Sequence, residues 1–128
     1  MRWDLSYPEL MDERLRPIER LQCSSQFRLV FDSGSCFYTP YLRVHSRRNG
    51  REMSRVGLVV TRRLGKAALR NRVKRILREV FRRNKSLLEE PRDVVLVPQG
   101  KARKHAEYLE AFLRFTAKVS GGASATRV

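Results

Sequence analysis

The sequence predicts a small α/β (α+β) domain, a two-layer sandwich in which helices cover a mixed four-stranded sheet. Three observations support this class. The length of 128 residues suits one domain with a modest core. Two runs rich in valine and leucine, 56–60 and 93–97, are typical of buried strands. A long amphipathic helix between them is expected to act as a crossover, and the element order is α-β-β-β-α-β-α.

Each element has its own local signal. Serines at 24 and 25 are potential N-caps, Phe27, Val30 and Phe31 form one apolar stripe, and Gly34 is suited to a helix end. Residues 41–45 alternate as a half-buried strand does, and 47–50 carry a turn signal. The predicted helices cover 25–33, 67–84 and 104–118, and the predicted strands cover 35–39, 41–45, 56–60 and 93–97.

The charge of the chain is large and unevenly distributed. The net charge is +15 with a pI near 11.1, which favours a nucleic-acid partner over a membrane. Residues 1–20 hold five acids and four arginines, a net charge of −1. We therefore expect a poorly ordered or loosely packed extension at 1–20, a domain at 21–119 and a disordered tail at 120–128. Met11 is an alternative start.

The strongest signal is the segment 62–85, which holds eleven basic residues and one acid, Glu79. Its apolar residues share one helical face, and Arg75, Arg78 and Arg82 fall on the opposite face. Its first turn is basic, which the helix dipole disfavours unless an anion binds there. A solvated charged face would mix both signs. The pattern therefore predicts a polyanion-binding helix.

The same reasoning finds no nuclease chemistry in the protein. The acids show no metal-binding spacing, and His45 and His105 stand alone, so we predict no catalytic residue and no metal site. Cys23 and Cys36 lack CxxC spacing and are expected to be reduced thiols in a cytoplasmic chain. No secretory signal or membrane-spanning run is evident.

The run 65–81 carries an Arg70-Asn71-Arg72 motif on a basic helix that follows a strand. In this motif the sequence resembles the bacterial ribonuclease P protein component. Phe27 and Phe31 match two aromatic positions of the family's first helix. The resemblance covers about 21–117. It departs at 22–26, which lacks the usual Lys and Arg, at the long extension, and at the unusually basic 99–104.

The resemblance implies the protein subunit of a ribonucleoprotein that removes the 5′ leader of precursor tRNA. The RNA subunit would perform the cleavage with Mg²⁺, and the protein would bind no metal tightly. Partners would be ribonuclease P RNA and precursor tRNA, with no obligate protein partner and no membrane. The family's crossover at the basic helix is left-handed, against the usual preference. The residues expected to bind the RNA subunit are Arg62, Arg63, Lys66, Arg70, Asn71, Arg72, Lys74, Arg75 and Arg78.

The leader is expected to bind between the first helix and the sheet, at Phe27, Phe31, Tyr41 and Arg43, since aromatic groups beside cations suit a single strand. Taken from the residues alone, a core position is favoured for both phenylalanines, and Tyr38 lies as near the first strands as Tyr41. Two other functions stay open at this point. One is a general RNA-binding protein. The other is a DNA-binding regulator, which is disfavoured because nearly every exposed position of the basic helix is Arg or Lys.

Overall fold

A computed structural model of the protein describes residues 19–21, 23–100 and 104–121. The helices and strands are α1 (Ser24–Ser33), β1 (Ser35–Tyr38), β2 (Leu42–Arg48), β3 (Arg55–Leu58), α2 (Ala67–Asn84), β4 (Arg92–Pro98) and α3 (His105–Thr116). Short 3₁₀ turns flank α2 at Arg62–Leu64 and Lys85–Leu87, and a π-helical turn, Ala117–Gly121, follows α3. The predicted order is confirmed, and α2 has the predicted bounds.

The four strands form one mixed sheet in the order β1-β2-β4-β3. Neighbours pair antiparallel except β3 and β4, which are parallel, with Val56 opposite Val94. Because α2 connects these two parallel strands, it is the crossover that the sequence predicts. Strand β2 continues through Arg48, beyond the predicted end at 45, because β4 pairs with it along its whole length. Pairing with a neighbouring strand here overrides the local turn signal.

The main core lies between one face of the sheet and the pair α2 and α3. Phe81 of α2 and Phe112 of α3 meet edge to face, with ring centroids 6.0 Å apart. Both are fully buried, as is Tyr108. The sheet contributes alternate residues of β2 and β4 to this core, as the two-residue period of a strand requires. These sheet residues are Leu42, Val44, Val94 and Leu96, joined by Val56 from β3.

Helix α1 packs on the other face of the sheet. Its buried Val30 joins Val95 and Val97, which point away from the main core. The two-layer description therefore applies to the sheet with α2 and α3, and α1 adds cover on the second face. Gly34 allows the tight step from α1 into β1, because a Cβ there would collide with the carbonyl oxygens of Val30 and Ser46.

Two residues of the extension predicted at 1–20 lie within the described part of the chain. Residues 1–18 of the predicted extension lie outside the described residues, but Glu19 and Arg20 are packed on the domain. Glu19 is 4% exposed and forms an ion pair with Lys85. Arg20 pairs with Val56 as an isolated parallel bridge, and the Leu21 N–H donates to the Val56 carbonyl at 2.9 Å. These residues cover the edge of β3, which the charge count could not reveal.

A buried carboxylate joins β3 to β4 at the start of both strands. Asp93 is 1% exposed and accepts hydrogen bonds from Arg55 Nε at 2.8 Å, Arg55 Nη2 at 2.7 Å and Asn49 Nδ2 at 2.8 Å. Burial alone would raise the pKa of Asp93. The hydrogen bonds from Arg55 and Asn49, with the positive charges of Arg55 and Arg47, outweigh burial and lower it. Asp93 is therefore a structural anion.

Candidate nucleic-acid interface

The start of α2 concentrates positive charge around helix N–H groups. Lys66 is the N-cap residue, no side chain caps the helix, and the first turn holds no acid. Arg62 and Arg63 are exposed in the turn just before it, and Arg70 Nη1 donates to the Gly65 carbonyl at 2.6 Å. Backbone donors and cations that converge at a helix N-terminus suit a phosphate group.

The outer face of α2 extends this charge along the helix. Asn71, Arg72 and Arg75 are exposed, and Lys74 and Arg78 are half-buried beside them. The opposite face is held in the main core by Val73 and Leu77, which are fully buried. The helix therefore presents a row of cations while its position is determined by apolar packing, as its amphipathic pattern predicts. We call these residues, with those at the start of α2, the basic surface.

One predicted member of the exposed row, Arg82, is buried. Arg82 is 2% exposed, and its Nε donates to Glu79 Oε1 at 3.2 Å. Glu79 also pairs with Arg83. Burial would raise the pKa of Glu79, but hydrogen bonds from Arg83 and Arg82 and their charges lower it. The prediction that Arg82 faces solvent was wrong. Helical periodicity predicts on which side of the helix a residue lies, but it does not predict which other segments pack against that side.

On the α1 face of the sheet, Phe27 is half-buried against β3. A Cβ on Gly57 would collide with the Phe27 ring and approach Leu21 to 3.0 Å, so the ring rests on the glycine. A groove of about 180 Å³ opens beside it, lined by Phe27 and Gly57 on one side and by Lys74 and Arg78 of α2 on the other. Phe27 and the basic helix thus meet across the edge of the sheet.

Phe31 lies on the same face and is open to solvent. It is 40% exposed, and its ring contacts the His45 ring edge to face, with centroids 4.6 Å apart. Partial burial lowers the pKa of His45, and the positive charge of Arg43 lowers it further, so the imidazole is neutral near pH 7. Sequence reasoning treated His45 only as an isolated strand residue. The sequence signal that could have found it is its spacing from Arg43, because residues two apart on a strand lie on the same face.

Arg43 connects this face to the basic surface. It lines a cleft of about 450 Å³ together with Arg63 and Leu64 from the turn before α2 and Val97 and Gln99 at the end of β4. The Nε atom of Arg43 is buried and has no hydrogen-bond acceptor among the described residues. The guanidinium of Arg43 brings a positive charge to this cleft, so an anion bound there would be attracted to it.

Tyr41 is not brought together with the other predicted leader residues. It packs against the main core and lines a separate hollow with Glu107, Glu110 and Arg114 of α3. Tyr38, and not Tyr41, lies beside Arg43 on the α1 face of the sheet. It is 66% exposed and lies directly opposite Arg43 in the pairing of β1 with β2. The placement of Tyr41 in the groove is therefore corrected: the aromatic residues that share this face are Phe27, Phe31, His45 and Tyr38, and we call it the aromatic face.

Several acids of the described residues pair with arginines. Asp93 and Glu79 are held by arginines, as described above, and Glu110 pairs with Arg114 at 3.1 Å. Within the part of the chain that the structure describes, no three His, Cys, Asp or Glu side chains come together as metal ligands. Over the same residues, none of the helices has the length and apolar character needed to cross a bilayer.

Comparison with known proteins places this geometry in a family. The family model described as Ribonuclease P matches residues 15–119. A ribonuclease P protein component of Thermotoga maritima is 39% identical over 100 residues, which cover 78% of this chain and 86% of that protein. One from Syntrophobacter fumaroxidans is 40% identical over 92 residues, covering 71% of this chain and 77% of that protein.

Solved structures agree with the sequence comparisons. The RNase P protein from Thermotoga maritima superposes with a TM-score of 0.72 at 35% identity, covering 80% of this chain and 98% of that chain. A Staphylococcus aureus RNase P protein superposes with a TM-score of 0.65 at 27% identity, covering 82% of this chain and 93% of that chain. With the matched family model, the basic surface and the mixed sheet, these findings show that the chain belongs to the bacterial ribonuclease P protein component family.

Proposed function

We propose that this chain binds the RNA subunit of ribonuclease P through its basic surface and the 5′ leader of precursor tRNA along its aromatic face. Membership in the family makes it a component of an endoribonuclease complex. The division between the two surfaces is our inference. The cleft lined by Arg43 and Arg63 supports it best, because it joins the two surfaces and would bring a leader on the aromatic face next to the RNA subunit on the basic surface.

The RNA subunit would supply the chemistry in this scheme. Phosphodiester cleavage with Mg²⁺ needs oxygen ligands gathered on the ion. In the described residues, Asp93 and Glu79 are occupied by arginine partners instead. The protein would therefore lower the repulsion between two RNA chains and hold the leader in position, while Mg²⁺ binds to RNA.

The contact with the RNA subunit would be electrostatic and sensitive to salt. Each phosphate neutralised by a cation releases condensed counterions, so affinity falls as salt rises. Arg72 and Arg75, which are exposed on α2, would make such contacts. The leader contact would add base stacking, which is tolerant of sequence because every base has a flat face. Such a division would let one protein assist many precursor tRNAs.

The test reconstitutes the full chain with a bacterial ribonuclease P RNA and measures cleavage of precursor tRNA at low Mg²⁺. We expect the protein to stimulate cleavage and the complex to bind precursor tRNA more tightly than mature tRNA. Phe31→Ala should weaken precursor binding alone by roughly tenfold, since a stacked base is worth about 1–3 kcal/mol. Leu113→Ala on α3 is the matched control, because Leu113 is 38% exposed and Phe31 40%.

Two results would contradict the proposal. One is a protein that binds ribonuclease P RNA without stimulating cleavage, which would favour a general RNA-binding role. The other is an equal effect of Phe31→Ala and Leu113→Ala on both tRNAs, which would place the leader elsewhere.

A further inference from the structure

Among the described residues, Tyr38 is the most exposed large hydrophobic side chain, and the predicted sites leave it out. It is 66% exposed, compared with 40% for Phe31. An aromatic ring open to this degree on a strand has no packing role to explain it. Its neighbour Phe37 points to the other face and packs against Phe115 in the main core, with centroids 6.1 Å apart. The alternation of β1 therefore places the ring of Tyr38 on the aromatic face.

The surroundings of Tyr38 resemble those of a nucleotide site. Arg43 is its direct partner across β1 and β2. Cys36 lies opposite His45, and the Cys36 Sγ is 3.7 Å from His45 Nε2. A hydrogen bond with the Cys36 side chain raises the pKa of Tyr38, so the phenol stays neutral. A neutral flat ring thus lies beside a guanidinium whose buried Nε has no acceptor among the described residues.

The spacing suits a strand of nucleic acid that already contacts Phe31. His45, which holds Phe31 edge to face, is two residues from Arg43 on β2, a distance of about 7 Å along the strand. Tyr38 lies one strand further out, about 5 Å away. Two bases of one extended chain can therefore contact Phe31 and Tyr38 in succession, and the phosphate between them can reach Arg43.

We propose that Tyr38 and Arg43 form an additional leader-nucleotide site, in which a base stacks on Tyr38 and its phosphate binds the Arg43 guanidinium. This inference rests on the proposed function and deepens it. The site extends the aromatic face to the outer strand of the sheet, so it lengthens the stretch of leader that the protein contacts. Its ligand is an unpaired nucleotide of any sequence, because stacking does not read base edges.

The test compares Tyr38→Ala, Tyr38→Leu and Tyr38→Phe in the reconstituted complex, using precursor tRNAs whose leaders differ in length and carry single abasic nucleotides. Tyr38→Ala and Tyr38→Leu should bind a long-leader precursor about tenfold more weakly, and Tyr38→Phe should retain wild-type affinity, because only the flat ring is needed. Mature tRNA and very short leaders should bind all variants equally.

The abasic leaders identify the contact directly. One leader position should weaken wild-type binding when its base is removed and should have no further effect in Tyr38→Ala. If Tyr38→Ala binds every leader as the wild type does while Phe31→Ala loses affinity, the Tyr38 site is wrong and the proposed function stands. If Phe31→Ala also has no effect, the leader-binding function fails, and the Tyr38 site fails with it.

Discussion

Removal of the Asp93 carboxylate tests whether this buried acid is structural. Asp93→Ala leaves Arg55, whose side chain is 10% exposed, without the carboxylate that accepts its Nε and Nη2. Breaking a buried ion pair by removing one partner costs about 3–5 kcal/mol. A domain of this size has a total stability of about 5–15 kcal/mol. The variant should therefore lose at least about a fifth of its free energy of unfolding.

Thermal unfolding measures the loss directly. At roughly 4 °C per kcal/mol, the melting temperature should fall by about 12–20 °C. Asp32→Ala is the matched control, since Asp32 is an exposed acid on α1 and should change stability by less than about 0.5 kcal/mol. Asp93→Ala combined with Arg55→Met removes both charges, and it should recover part of the loss because the uncompensated guanidinium is gone.

The effect depends on pH with a defined sign. The pKa of Asp93 is lowered in the folded protein, so its contribution is complete above the ordinary carboxyl pKa and disappears as pH falls through the folded value. The difference in melting temperature between wild type and Asp93→Ala should therefore be constant near neutrality and shrink below about pH 4.

Cleavage gives the decisive second measurement. Below its melting temperature, the folded Asp93→Ala protein at saturating concentration should support precursor cleavage by the RNA subunit at nearly the wild-type rate. An unchanged melting temperature would refute the assigned structural role. A folded variant whose cleavage rate drops by orders of magnitude would show instead that Asp93 takes part in the chemistry.

Three further outcomes follow from the contacts. Arg75→Ala should weaken binding to the RNA subunit and reduce the slope of log affinity against log salt by about one counterion. An unchanged slope would show that the exposed cations of α2 contact solvent and not RNA. A chain that starts at Glu19 should have nearly the melting temperature of the full chain. A chain that starts at Cys23 lacks the buried Leu21 and should lose about 1.5–3 kcal/mol of its free energy of unfolding, so equal melting temperatures would contradict the packing seen at β3. Gly57→Ala should displace Phe27 and cost about 1–3 kcal/mol, measured by urea unfolding; no loss would mean that the ring does not rest there.

The sequence by itself determined the features that depend on residues close together in the chain. Helix α2 has the bounds predicted for it, because eighteen residues keep one apolar stripe and each turn adds the same local preference. The strands at 56 and 93 were found because they are buried on both faces and are therefore continuously apolar. The motif at 70–72 indicates the family without any knowledge of tertiary contacts. Net charge alone indicated a polyanionic partner.

Tertiary structure alone decided which residues share a surface. Tyr38 and not Tyr41 faces α1 because β1 pairs with β2 in one register, and a shift of one residue would exchange the two faces. Arg43 and Arg63 line one cleft because the end of β4 pairs with the start of β2 and lies beside the turn before α2. Arg82 is buried although its helical position predicts exposure. Each outcome depends on pairing between segments distant in sequence, whose free energy no local pattern contains.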